Sequence, residues 1–132
     1  MQDRFKFRFW HKPTEKMIDC YGYNKDFVFG DVLDGIGTTY NPAKFDDCIL
    51  MQCTGLKDKN GKLIYEGDII NIWCKNLTKN QISEVKFCKE RAVFTFDYFT
   101  DYGNIVPCTM EKTEIEVIGN IYENPELELL ED

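Results

Sequence analysis

The sequence predicts a mainly β protein, a small barrel or roll preceded by a β-hairpin and an irregular connecting segment. Three observations carry that prediction. Short apolar or alternating runs recur at roughly ten-residue spacing, Gly, Asn, Asp and Pro clusters separate them, and no stretch sustains the 3.6-residue period of a helix. Closure into a barrel is expected because it removes unpaired sheet edges.

The first element is the run RFKFRFW, in which Phe5, Phe7 and Phe9 alternate with Arg4, Lys6 and Arg8. Period two with aromatics on one parity predicts a strand with one buried face. His11 to Lys16 reads as a turn around Pro13, whose ring fixes φ and removes a donor, and Lys16 to Cys20 as the returning strand. Residues 21–47 scatter Gly22, Gly30, Gly35, Gly37 and Pro42 among aromatics and aspartates, and predict irregular strands or at most a short helix. Ile49 to Cys53 is a short apolar strand. Asn60-Gly61 then signals a hairpin turn in which both central residues accept φ > 0. Leu63 to Tyr65 follows, the turn Glu66-Gly67-Asp68 launches Ile69 to Trp73, and Asn76 to Gln81 is a polar loop. Ser83 to Phe87 and Ala92 to Tyr98 form a second predicted hairpin, with Phe94 and Phe96 assigned to the core. Tyr102-Gly103-Asn104 turns the chain again. Glu114 to Ile118 is the last alternating strand, and Asn120 to Tyr122 is expected to close the barrel before Pro125 breaks the ladder. This divides the chain into residues 1–54, a barrel at 55–122, and an acidic tail at 123–132.

Several of these segments together carry a family signature. The basic-aromatic strand KFRFW, Met17-Ile18 after its turn, LMQCTGLKDKNGKLIYEGDII and EVIGNIYENPEL resemble the YopX family of small phage and prophage proteins. The similarity spans both ends and the centre, roughly half the chain. Cys20 to Asp47 and the aromatic run Phe94 to Tyr102 depart from it. The resemblance implies an SH3-like barrel in the C-terminal part and a gene carried by a phage or an integrated element. It implies no catalytic residue.

Composition narrows the function classes. The 132 residues, 43% hydrophobic and 14% aromatic, suffice for a folded domain and exclude disorder. No apolar run approaches the roughly 18 residues of a membrane helix, and no secretory signal is visible, so a cytoplasmic protein is expected. The net charge of −7 argues against nucleic acid, whose binding is driven by Lys and Arg. The charge is uneven: residues 1–16 hold Arg4, Lys6, Arg8, Lys12 and Lys16 against Asp3 and Glu15. One terminus is basic, and the remainder is acidic.

Cysteines 20, 48, 53, 74, 88 and 108 lack C-x-x-C spacing, and His11 is the only histidine, so free thiols are expected, with neither zinc nor any other cofactor. Cys48 and Cys53 are an odd number apart and fall on opposite faces of a strand. Glu66-Gly67-Asp68 offers two carboxylates, but a turn with Gly67 at an unusual φ and Asp68 bonding nearby amides accounts for them better than metal or acid–base chemistry. Gly35-Ile36-Gly37-Thr38-Thr39 lacks the third glycine and the lysine of a phosphate loop and reads as a plain turn. No nucleophile with a base is in view, and an enzyme is not expected.

Two segments are candidates for interaction. Tyr98, Phe99, Asp101 and Tyr102 interleave aromatics with acids, as in the peptide grooves of SH3-type barrels, although alternate aromatics filling the barrel explain the run more simply. Arg4, Phe5, Phe7, Arg8, Phe9 and Trp10 form the second. If this strand lies at a sheet edge, its amides would pair with another copy and its Phe face would be covered there, giving a homo-oligomer. Packing within its own chain is the alternative. The expected function is a non-enzymatic interaction module, self-associating or binding a host or phage protein. The second reading is a nucleic-acid accessory in which Arg4, Lys6, Arg8, His11 and Lys12 touch phosphate, or its converse, an acidic protein occupying a host protein's DNA site.

Overall fold

The computed structural model describes residues 5–30, 42–73, 81–99, 105–108 and 114–127, the side chains of 97–99 and 105–108 excepted. The chain divides into two compact units, Met1–Cys53 and Thr54–Asp132. Among the described residues there is no α-helix, and none long and apolar enough to cross a membrane.

The first unit is an antiparallel sheet ordered β4-β3-β2-β1-β5, built from β1 (Phe7–His11), β2 (Lys16–Tyr23), β3 (Phe27–Gly30), β4 (Ala43–Lys44) and the start of β5 (Cys48–Lys57). The β1–β2 hairpin pairs Phe9 with Ile18 and Phe7 with Cys20, and its turn is closed by Glu15 at φ 54°. On the other side of β1, Phe9 faces Leu50 and His11 faces Cys48. Cross-strand partners share a face, so Phe9, Ile18 and Val28 converge with Ala43 into one core, flanked by Cys20, Phe45, Cys48 and Leu50. Phe9 is fully buried, which contributes about 2–3 kcal/mol by transfer from water. Gly30 lies against this core so tightly that a Cβ there would sit 2.6 Å from the Asp19 carbonyl oxygen and 2.8 Å from the Phe9 ring.

The second unit holds the rest of β5 with β6 (Leu63–Tyr65), then β7 (Asp68–Trp73), β8 (Gln81–Glu84), β9 (Lys86–Cys88), β10 (Val93–Phe99), β11 (Ile105–Cys108) and β12 (Glu114–Asn120). Its core joins Ile64, Ile70, Ile72, Val85, Phe96 and Ile115, with Phe94 and Val117 packed at the margin. The described strands do not close into a barrel. They form separate three-stranded antiparallel sheets, β11-β10-β9 and β12-β7-β8, beside the β5–β6 pair. At Val85 the chain passes from one of these sheets to another. The Val85 N–H donates to the Asp68 carbonyl and its C=O accepts from the Gly67 N–H, both at 2.9 Å. Residues 81–84 pair with β7 and residues 86–88 with β10, so one run of chain serves two sheets.

Two smaller expectations also change. Ala92 is not a strand residue; at φ 54° it closes the β9–β10 turn. Residues 121–123 form a turn rather than a closing strand, because the Asn120 side-chain oxygen accepts the N–H groups of Tyr122 and Glu123 at 3.0 and 2.8 Å. Residues 124–127 lie against β12: a Cβ on Gly119 would meet Asn124 Oδ1 at 2.5 Å and Leu127 Cδ1 at 2.9 Å.

Candidate functional site

The signature turns of the second unit are organised by carboxylates. Asp58, buried at the end of β5, accepts through Oδ1 from the backbone N–H groups of Asn60 and Lys62, each at 2.9 Å. Oδ2 accepts the N–H of Val117 at 3.0 Å. Burial pushes this carboxyl up, but the Val117, Lys62 and Asn60 amides and the Lys62 charge together hold it below the usual aspartate range. The turn spans five residues between β5 and β6, and only Gly61, at φ 84°, is left-handed; Asn60 is not. Asp58 therefore does the work that two left-handed residues would do in a two-residue hairpin.

Gly67 and Asp68 form a second structural knot. Gly67 takes φ 87°, its C=O accepts from the Ile121 N–H at 3.0 Å, and Asp68 Oδ2 accepts from the Tyr65 N–H at 2.8 Å. Asp68 is buried and committed to the backbone, and among the described residues no three His, Cys, Asp or Glu converge as metal ligands. The two sequence blocks around 50–70 and 116–127 thus meet: Lys59 N–H donates to the Ile115 carbonyl and Asn60 Nδ2 to Glu116 Oε2 at 3.1 Å. The Lys59 ammonium also lies 4.1 Å from the Trp73 ring centroid, a cation–π contact.

The N-terminal strand is not an edge. β1 runs between β2 and β5, so both rows of its backbone groups face neighbouring strands and cannot template a second copy. Its phenylalanines separate: Phe9 is in the core, Phe7 is half-buried against Tyr23, and Phe5, before the strand, is exposed. Trp10 is half-buried. Arg8 and His11 are buried, the latter with Nδ1 2.7 Å from Thr14 Oγ1, and neither presents a charge to a polyanion. Tyr98 and Phe99 fall in β10, in register with Val106 and Ile105. Arg4, Asp101, Tyr102, Cys74 and the Gly35–Thr39 turn lie outside the described residues.

Among the described residues, Cys20, Cys48, Cys53 and Cys88 are in no disulfide. Burial, with Asp47 and Cys20 nearby and against the pull of Lys12, pushes Cys48 up to about 11; burial raises Cys20 as well. These are protonated, poor nucleophiles.

The exposed aromatic surface of the first unit is at the β2–β3 hairpin instead. Tyr21, 71% exposed, is the extra residue of a bulge in β2, where Cys20 pairs with Gly30 and Gly22 with Phe29. Tyr23 (51%) and Phe27 (39%) flank the turn. Asn24 builds that turn: its Oδ1 accepts the N–H groups of Asp26 and Phe27, both at 2.8 Å. The Tyr23 ring lies 6.0 Å from those of Phe7 and Phe45. Sequence reasoning missed this surface because no period marks residues 21–27; the Asn-x-Asp-Phe spacing at 24–27 was the available signal.

The same architecture recurs in solved proteins. Protein EF1440 from Enterococcus faecalis matches with a TM-score of 0.59 and 28% identity, over 92% of this chain and 96% of that one. Protein yopX from Bacillus subtilis matches with a TM-score of 0.60 and 24% identity, over 94% and 98%, a likeness of fold. By sequence, the chain is 37% identical over 70 residues to the SPbeta prophage-derived uncharacterized protein YopX of Bacillus subtilis strain 168; that stretch spans about half of each, 51%. The YopX protein family model matches residues 6–131, and the chain belongs to that family.

Proposed function

We propose that this chain is a prophage-derived, non-enzymatic protein-interaction module of the host cytoplasm. Its second unit is an SH3-like roll that serves as scaffold, and its contacts run through the tip of the β2–β3 hairpin. The observation that carries this reading is the exposure of Tyr21, Tyr23 and Phe27 around one side-chain-capped turn. Aromatic residues held on a rigid turn give large contact area at small entropic cost, and clustered exposed apolar side chains mark interaction sites. The prophage origin rests on family membership and on the curated relative's name.

A phosphate-binding N-terminal strand finds less support, since Arg8 and His11 are buried. The test is parallel affinity purification from a bacterial host lysate with the full chain and with Tyr21→Ser/Phe27→Ser, both shown to melt alike. A specific protein recovered by the first and lost by the second is expected. Equal recovery, or recovery of no specific protein by a chain that also stays monomeric, overturns the reading.

A further inference from the structure

Beside the hairpin tip, the β2–β3 turn meets the 3-10 turn of Phe45–Asp47, where the Phe45 N–H donates to the Asp26 carbonyl at 2.9 Å. An open depression of about 350 Å³ lies here, lined by Lys25, Asp26, Phe27, Lys44, Phe45 and Asp46. Two cations, two anions and two aromatic rings make it locally neutral, in a chain whose net charge is −7. None of the four charged side chains enters an ion pair among the described residues, and all four are exposed.

Such a surface is its own electrostatic complement. It offers a second copy of itself both signs of charge to pair with and aromatic rings to cover, about a two-fold axis that sets lysine against aspartate. A polyanion or a strongly basic protein would meet like charge at half of these positions. Two copies of this acidic chain repel over most of their surface, and a neutral patch is where they approach at least cost.

We propose that this depression joins two copies of the chain in a two-fold dimer, Lys25 and Lys44 of each facing Asp26 and Asp46 of the other. It rests on the reading of the hairpin tip as an interaction surface and names one partner for it. The patch is small, so the dimer forms with micromolar rather than nanomolar affinity.

Sedimentation equilibrium tests this with the full chain, with Lys25→Asp/Lys44→Asp and with Asp26→Lys/Asp46→Lys, each shown to melt like the parent. The parent is expected to dimerise by high micromolar concentration, more weakly as salt rises. Each variant alone should dimerise about tenfold or more weakly, and an equimolar mixture of the two should restore the dimer. A parent that stays monomeric, variants that dimerise as the parent does, or a mixture that restores nothing overturns the proposal. A strict monomer whose partner capture still depends on Tyr21 and Phe27 overturns the dimer and leaves the interaction module standing.

Discussion

Asp58 Oδ2 accepts the backbone N–H of Val117 at 3.0 Å, tying the end of β5 to the middle of β12 across 59 positions of sequence. The same carboxylate holds Asn60 and Lys62, so one buried side chain satisfies three backbone donors in two elements. It is the point at which the two halves of the family signature become one structure.

Removing that carboxylate should be costly. Asp58→Ala leaves three donors without their acceptor, one of them in the β12 ladder region, and at about 1 kcal/mol or more apiece we expect a loss of about 3 kcal/mol. Asp58→Asn keeps one oxygen and should lose less. Urea unfolding of both against the parent measures the difference; equal stability of Asp58→Ala and parent would refute the role.

The same group sets a pH dependence. Its folded pKa is below its unfolded value of about 3.9, so its contribution is complete above that value and disappears as pH falls through the lower folded one. Stability of the parent, measured from neutral pH down to about pH 3, should fall more steeply than that of Asp58→Asn, and the two curves should converge at the acid end. Parallel curves would contradict this.

Glycines separate by their surroundings. Gly30→Ala should destabilise by about 1–3 kcal/mol, since its Cβ would press on the Asp19 backbone and the Phe9 ring. Gly61→Ala should cost about 1 kcal/mol through its left-handed φ of 84° alone. At Gly22, nothing lies within 4 Å and φ is not positive, so Ala should change stability by no more than about 0.5 kcal/mol. Thermal melts rank the three, and a different order would contradict the packing argument.

Cys48 should resist alkylation. With its thiol pushed up to about 11, little thiolate is present at pH 8, and the rate of iodoacetamide labelling should rise about tenfold per pH unit until near that value. Peptide mass spectrometry reads the site directly, and rapid labelling at pH 8 would exclude the shift.

How much of this was written in the sequence differs by element. The β1–β2 hairpin, the strands from Ile49 to Trp73 and the alternation from Glu114 are legible because period-two patterning and turn residues act over a few positions. Gly67 was readable for the same local reason. The hairpin at 20–30 was not, since a bulge at Tyr21 breaks its alternation.

The sequence by itself determined the β class, the turns after His11, at Asn60-Gly61 and at Gly67, and its membership of a family, because each rests on local chemistry. Only the tertiary structure decided that β1 is an inner strand, that Arg8 and His11 are buried, and that Val85 splits one run between two sheets. Those outcomes depend on which strand occupies the other side of a ladder, and that partner lies some forty residues away for β1. Alternation reports that a face is apolar. The strands paired on either side decide whether that face meets its own core or the solvent.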